Sequence, residues 1–298
     1  MDYRFAFDVR PQTGELRVSL RLAERMFEQG NTVYYNYFDS PVFRGRLIGR
    51  GILLVKYPSD LWLSTPDLVF LDPVFRKRAD VYRHFGSIVA YITVQREQDE
   101  LCLDEANGDL WIHLPPLSCK PFSHSPRQVD FIGEINRIKE QQPGTTVIGV
   151  AGEGMQQCYR VLDYCARHCP DFRFILSTGK QRIEETWFAW SENVSVYRQQ
   201  ELQPLLPLCD LILTDESSVA WMDSVFASVP TWQLSANERK HLTPSRLERR
   251  IRDMLADHPQ LVERQKQLRL FYREQNRKLD ALIGRLGDYL EQHQPKEV

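Results

Sequence analysis

The sequence predicts an α/β protein of two domains, each built around a parallel β-sheet with helices on both faces. The chain has 298 residues, a length at which two domains are more common than one. In the first half, short apolar segments rich in β-forming residues alternate with segments of helical period. The same alternation starts again after a proline-rich stretch. Strands that alternate with helices favour a parallel sheet that is covered on both faces.

The first half contains the clearer strand pattern. Residues 3–9 alternate along the chain as a strand does, and the apolar residues of 16–27 recur at helical spacing. Gly30 and Asn31 are residues that end a helix. The expected strands are 3–9, 32–38, 53–57, 67–71 and 88–94, and the expected helices are 16–27 and 76–85.

Residues 95–128 are rich in proline and are interpreted as the approach to a linker, which gives domains 1–128 and 129–298. The expected strands of the second domain are 146–151, 172–178, 194–197, 211–213 and 229–233. Its expected helices are 156–168, 201–207, 218–227, 245–256 and 260–292.

Charge and composition narrow the class of protein. A net charge of −2 predicts no affinity for nucleic acid. The first residues lack the pattern of a signal peptide, and no apolar run approaches the roughly 20 residues that span a bilayer. A cytoplasmic protein is therefore expected. The six cysteines form no CxxC pair, and no metal site is predicted.

Basic residues are concentrated in the predicted helices of residues 239–278. Arg and Lys on the polar face of an amphipathic helix suit a peripheral contact with the inner face of an anionic membrane. The alternative, which we favour, is a packing helix with a solvated charged face. Its expected apolar stripe consists of Leu268, Phe271, Leu279, Leu282, Leu286 and Leu290.

Short motifs of the first half follow a recognisable order. Residues 14–16, 19–23 and 29–33 are similar to G-H … S-L-x-L-A … R-G-H-x-V, and residues 66–69 with Asp72 are similar to P-D-L-V-I-x-D. These motifs resemble the N-terminal domain of GT-B glycosyltransferases. That class includes the UDP-glycosyltransferases and the lipid-linked GlcNAc transferase of peptidoglycan synthesis.

The second half resembles the C-terminal domain of the same class. Residues 129–133 are similar to V-x-x-V-G-P, and residues 174–179 are similar to V-V-x-T-G. Residues 209–230 are similar to x-D-L-V-I-T-H-G-G-x-x-x-x-x-E-A-x-x-x-G-V-P, with Asp223 at the acidic position. Residues 214–218 also resemble the T-D-Y-S-S of teichoic-acid glycerophosphotransferases, which share the fold and use CDP-glycerol.

The resemblance implies two Rossmann-like domains that face a cleft, with C-terminal helices crossing back to the first domain. It implies that a sugar moves from a nucleotide-diphosphate sugar, with a UDP-sugar favoured, to the hydroxyl of an unknown acceptor. An inverting mechanism without a cofactor or bound metal is expected, because helix dipoles and basic side chains can stabilise the leaving diphosphate. Bacterial cell-envelope polysaccharide is the expected context.

The turn that follows the strand at 211–213 is the predicted donor site. Free N–H groups at a helix N-terminus bind anions, and strand-end turns of open α/β sheets are where such ligands bind. Ser217 and Ser218 can cap the helix that starts there. Asp223 is placed to accept both ribose hydroxyls of a nucleotide.

Three further residues of this turn are predicted to contact the donor, namely Thr214, Asp215 and Glu216. The sequence departs from the family here: Glu216 and Ser217 replace two glycines, and Asp215 replaces a histidine. Acidic side chains near a diphosphate are unfavourable unless they point away or accept a sugar hydroxyl. The alternative is a well-capped helix start, with Asp223 as a solvated residue.

Two other turns are candidate donor contacts. Gly152 and Gly154 follow a strand, and glycine lets the backbone come close to a ligand; the alternative is a plain tight turn. Asn237 and Glu238 match the place where the family holds the donor sugar, and the basic pair 239–240 could bind phosphate. Surface charge is the alternative for each of these residues.

The chemistry also needs a base for the acceptor hydroxyl. The family uses a histidine after the glycine of the first turn, and here Glu15 follows Gly14, the acceptor-side glycine. Asp8, at the end of the first strand, is the other candidate. Glu15 instead suits a helix N-terminus electrostatically, and Asp8 suits a turn.

Two other functions stay open. A hydrolase or epimerase of nucleotide-sugars would share the fold and would act with water or on the sugar itself. A non-catalytic subunit that binds a nucleotide or a partner is the third hypothesis, because the family's histidine and glycines are missing.

Overall fold

The structure is a computed structural model. It describes residues 2–10, 14–94, 102–106, 109–117, 126–177, 190–197, 202–216, 218 and 220–293, without the side chains of 14–16, 42, 46, 102–106 and 126–129. The chain divides into a first unit, Met1–Phe122 with Phe271–Val298, and a second unit, Ser123–Leu270. The predicted domains, 1–128 and 129–298, differ from these units mainly because residues 271–298 make their contacts with the first unit.

The strands of the described residues are β1 (Arg4–Asp8), β2 (Thr32–Asn36), β3 (Leu53–Val55), β4 (Leu68–Leu71), β5 (Ile88–Val94), β6 (Cys102–Ala106), β7 (Asp109–Leu114), β8 (Thr146–Ala151), β9 (Phe172–Ser177), β10 (Val194–Tyr197), β11 (Leu211–Asp215) and β12 (Thr231–Leu234).

The α-helices of these residues are α1 (Gly14–Glu28), α2 (Pro41–Leu47), α3 (Pro58–Leu63), α4 (Ala79–His84), α5 (Pro126–Gln141), α6 (Tyr159–His168), α7 (Ala220–Ala227), α8 (Ala236–Lys240), α9 (Pro244–Ala256), α10 (His258–Arg277) and α11 (Leu279–His293). Short 3₁₀ helices lie at Pro73–Arg78, Glu153–Cys158 and Gln203–Leu208.

The first unit is built on a sheet of order β3-β2-β1-β4-β5-β7-β6, in which β6 alone runs antiparallel to its neighbour. An aromatic layer crosses the middle of this sheet. The Phe7 ring stacks on Phe70 of β4 at 4.5 Å and on Tyr35 of β2 at 5.3 Å between ring centroids. All three side chains are fully buried, as expected for central parallel strands covered on both faces.

The last helix belongs to this first unit. The Arg25 guanidinium on α1 forms two hydrogen bonds of 2.6 Å with the Asp280 carboxylate at the start of α11. Four leucines of the predicted apolar stripe are fully buried in α11, namely Leu279, Leu282, Leu286 and Leu290. The predicted return of the C-terminal helix to the first domain is confirmed, whereas Leu268 on α10 is 43% exposed.

The second unit is built on a fully parallel sheet of order β10-β9-β8-β11-β12. Alternate residues of the central strand β8 point into two different clusters: Ile148 and Val150 join one, and Val147 and Ala151 join the other. The predicted fold class, two parallel-sheet α/β domains, is thus confirmed. Because the strands are parallel, their carboxyl ends lie together along one edge of the sheet.

One local prediction was wrong. Residues 109–114, interpreted as part of a linker, form β7, which pairs with β5 in parallel and with β6 in a hairpin. Residues 129–133, compared with a domain-entry motif, lie inside helix α5, near the start of the second unit. Positions 178 and 179 of the other motif lie outside the described residues. Within the described ranges, no helix is both long and apolar enough to cross a membrane.

Candidate functional site

The carboxyl edge of the second sheet brings the turn after β8 against the end of β11. Gly152 has a φ of +117°, and a Cβ atom on it would overlap the Asp215 carboxylate and lie 3.2 Å from the Cβ of Ser218. The N–H of Gly154 donates to Oδ2 of Asp215 at 2.8 Å. Glycine is therefore required at position 152 by the close approach of these two turns.

Asp215 is turned into the protein. It is 1% exposed, and its carboxylate accepts the hydrogen bond from Gly154. Thr214 is also fully buried, whereas Glu216 is exposed. Asp215, the acidic residue at the position where the compared motif has a histidine, thus points at the turn after β8. Glu216 is the acidic side chain of the described turn residues that reaches solvent.

Helix α7 begins at this turn. Ser218 Oγ accepts a hydrogen bond from the N–H of Ala220 at 3.2 Å, which is the capping contact predicted for this residue. Ser217 lies outside the described residues. Asp223 lies in the first turn of α7, is 6% exposed and already interacts with another group of the protein.

The predicted sugar-binding pair lies at the start of α8. Glu238 forms a capping box with Ser235: its Oε2 accepts the Ser235 N–H at 2.9 Å, and Ser235 Oγ accepts the Glu238 N–H at 3.2 Å. The Ser235 N–H lowers the pKa of Glu238 below its usual value. Asn237 is exposed. The carboxylate of Glu238 thus has a structural task, whatever else it contacts.

Arg239, on the same helix, points at the turn after β8. A Cβ on Gly154 would lie 2.9 Å from Cζ of the guanidinium. Nη1 donates to the carbonyl oxygen of Leu234 at 2.7 Å. Gly152, Gly154, Asp215, Ser218 and Arg239 are thus brought together at one edge of the second sheet.

Asp8 in the first unit is fully buried. Both its oxygens accept hydrogen bonds from Nη1 of Arg78, at 2.8 and 2.9 Å, and it also accepts from Tyr82 Oη at 2.9 Å and from Asn36 Nδ2 at 3.1 Å. Burial and then the Asp8 charge raise the pKa of Tyr82 above its usual value. These contacts argue for a structural role of Asp8, because an acceptor hydroxyl could not reach it without rearrangement.

The contacts of Asp8 continue into a closed ring of side chains. Asn36 Oδ1 accepts the N–H of Phe38 at 2.9 Å, and Phe38 has a φ of +53°. The centroids of the Phe38 and Phe75 aromatic rings lie 5.6 Å apart, and Cζ of Arg78 lies 3.9 Å from the centroid of the Phe75 ring. Arg78 closes the ring on Asp8. The partners of Asp8 were not predicted, although a polar residue such as Asn36 at the carboxyl end of a buried strand is a usable signal.

The other predicted residues of the first unit lie at the start of α1. Gly14 is its first residue, and Glu15 lies in its first turn. The side chain of Glu15 is outside the described residues.

The thiols and acidic groups give no metal cluster among the described residues. Sγ of Cys165 lies 4.0 Å from Sγ of Cys169, and both side chains are buried. Burial raises the pKa of Cys165 to about 12. These thiols are packed as small apolar groups.

Comparison with solved structures identifies the fold as that of the GT-B glycosyltransferases. The glycosyltransferase VinC in complex with dTDP matches at a TM-score of 0.64 and 14% identity, over 97% of this chain and 100% of VinC. HepE from Anabaena in complex with UDP and glucose matches at a TM-score of 0.61 and 11% identity, over 96% of this chain and 100% of HepE. A protein from Listeria monocytogenes assigned as a UDP-N-acetylglucosamine 2-epimerase matches at a TM-score of 0.59 and 11% identity, over 89% of this chain and 91% of that protein.

The chain thus has the GT-B fold. No family model and no curated protein matches its sequence.

Proposed function

We propose that the protein transfers a sugar from a nucleotide-diphosphate sugar to an acceptor hydroxyl. The observation that carries the proposal is the edge where Gly152, Asp215 and Ser218 meet and where α7 begins. Such an edge, at the carboxyl ends of parallel strands, is the general ligand site of open α/β sheets. VinC holds dTDP and HepE holds UDP and glucose, which supports a nucleoside diphosphate as the ligand, with a UDP-sugar favoured.

In the proposed donor site, the first N–H groups of α7 face the diphosphate, because a helix N-terminus carries partial positive charge. Thr214 and Glu216 border this turn, and Asn237 with Glu238, at the start of α8, is proposed to contact the donor sugar. Asp223 is proposed to accept the ribose hydroxyls with its carboxylate. The inward turn of Asp215 removes the acidic side chain that would most oppose a diphosphate.

The proposed reaction is a single inverting displacement. A base removes the proton of the acceptor hydroxyl, the oxygen forms a bond to the anomeric carbon, and the bond from that carbon to the diphosphate breaks. The diphosphate leaves with the bonding electrons and is stabilised by N–H groups and by positive charge, without a bound metal. Glu15 is the base we propose, since the four hydrogen bonds of Asp8 hold it in the interior.

The experiment is product analysis with radiolabelled UDP-glucose, UDP-GlcNAc and dTDP-glucose, in the presence of pooled bacterial glycans and lipids. Transfer gives a labelled glycoside and free nucleoside diphosphate. Release of nucleoside diphosphate with free sugar alone, in the presence of every acceptor, would instead show a hydrolase.

A nucleotide-sugar epimerase is the second candidate, favoured by the Listeria relative. It predicts that the label stays on the nucleotide or leaves as the epimeric sugar, without an acceptor. If the protein is a non-catalytic subunit, it should bind a nucleotide and form no product. Its affinity for the nucleotide should then be the same in Asp8→Ala and Glu15→Ala.

A further inference from the structure

The guanidinium of Arg239 is a charge without a counter-charge in the described part of the chain. Its one side-chain hydrogen bond there runs from Nη1 to the carbonyl oxygen of Leu234, at 2.7 Å. Its Nε is buried and has no hydrogen-bond partner. A half-buried cation in this condition is costly unless an anion completes its hydrogen bonds.

Two buried or half-buried carboxylates of this edge accept hydrogen bonds from groups other than Arg239, whereas Glu153 and Glu216 are exposed. The Asp215 carboxylate accepts the Gly154 N–H, and the Glu238 carboxylate accepts the N–H and hydroxyl of Ser235. Neither forms an ion pair with Arg239. These two carboxylates are thus directed at backbone and hydroxyl groups, and the guanidinium of Arg239 lies beside them.

The position of Arg239 is fixed from two sides. The capping box holds the first turn of α8, and the guanidinium lies against Gly154, where any Cβ would come within 3.0 Å of Nε, Cζ and Nη2. The absence of a side chain at position 154 thus gives the guanidinium its place at the end of β8. The neighbouring basic residue, Lys240, is exposed on the same helix.

We propose that Arg239 binds the diphosphate of the donor, which makes it a specificity residue for nucleoside diphosphates over nucleosides. The inference rests on the proposed function. A planar guanidinium matches two phosphate oxygens with parallel hydrogen bonds, which a lysine ammonium cannot do. Two bridged phosphates offer more oxygens and more charge to this fork than one phosphate does.

The test is calorimetric titration of the whole chain with UDP, uridine and inorganic pyrophosphate. Arg239→Ala is expected to lower the affinity for UDP and for pyrophosphate by about 10- to 100-fold, the range expected for the loss of charge-assisted hydrogen bonds. The affinity for uridine should not change. Arg239→Lys is expected to recover part of the loss. Arg249→Ala, at an exposed arginine of α9, is the matched control, and its affinity for UDP is expected to stay within about twofold of the wild type.

A second variant guards against a folding defect. Gly154→Ala keeps the guanidinium but displaces it, so it should weaken UDP as Arg239→Ala does while the melting temperature of both variants is measured alongside. Equal UDP affinity of Arg239→Ala and wild type would overturn the inference and leave the proposed function standing. A different result would separate the two claims. If the wild type binds UDP but forms no product from any UDP-sugar, and Arg239→Ala loses the affinity for UDP, the inference is supported and sugar transfer is not.

Discussion

The N–H of Gly154 and the carboxylate of Asp215 are joined by a hydrogen bond of 2.8 Å, across 61 residues of sequence. This bond ties the turn after β8 to the end of β11, where α7 starts. It explains why an acidic residue is tolerated at a proposed diphosphate site: the carboxylate serves the protein backbone.

Gly152→Ala is expected to destabilise the protein by about 2–5 kcal/mol, because a left-handed φ and a clash with the Asp215 carboxylate add together. Gly144→Ala is the matched control: its φ is +103°, and no atom lies within 4 Å of its Cβ position. It should cost only about 1–2 kcal/mol. Urea unfolding of both variants measures the difference, and equal costs would contradict the close packing of the two turns.

Asp8→Ala is expected to lower the free energy of unfolding by about 2–4 kcal/mol, because Arg78 and Tyr82 lose the acceptor on which both converge. In a double-mutant cycle with Arg78→Ala, the double variant should lose less free energy of unfolding than the sum of the two single losses. Additive losses, measured by urea unfolding, would show that the ion pair is not the source of the effect.

Glu15→Gln is expected to lower the rate of sugar transfer by about 10²- to 10⁴-fold, the range for removal of a general base. The melting temperature and the affinity for UDP should stay near their wild-type values, because Glu15 belongs to the first unit and the proposed UDP contacts belong to the second. Unchanged turnover in this variant would exclude Glu15 as the base.

The capping box of α8 predicts a pH dependence of stability. The Ser235 N–H lowers the pKa of Glu238 below its ordinary 4.5, so the folded state binds this proton more weakly than the unfolded state. The stabilisation is present above pH 4.5 and is lost as pH falls through the lowered pKa. In Glu238→Gln, which keeps an acceptor for the Ser235 N–H, melting temperatures from pH 6 to pH 3 should fall less steeply. An identical slope would show that Glu238 does not contribute.

Much of the fold follows from periodicity. Strands at the centre of each sheet are apolar on both faces, and this pattern is visible for β1, β4 and β8 without any structure. The hairpin of β6 and β7 was missed because it lies at the sheet edge, where polar residues and the following prolines obscure the strand pattern. Part of the predicted linker therefore belongs to the first sheet.

The candidate site was predictable only in part. Ser218 and Gly152 carry local signals, a helix cap and a strand-end glycine, and the structure brings them together. The contacts of Arg239 with Gly154 and of Arg78 with Asp8 join residues far apart in the chain, so no local pattern reports them. The burial of Asp8 likewise depends on its neighbours in space.

The most direct test of the account is a thermal melt of the whole chain with UDP, TDP, GDP or CDP at about 1 mM, each against its nucleoside. A ligand at a hundredfold excess over its Kd stabilises by about 2.7 kcal/mol, which raises Tm by several degrees for a chain of this size. The account predicts such a rise with at least one diphosphate, UDP foremost, and none with the matching nucleoside. No rise with any of the four diphosphates would contradict it.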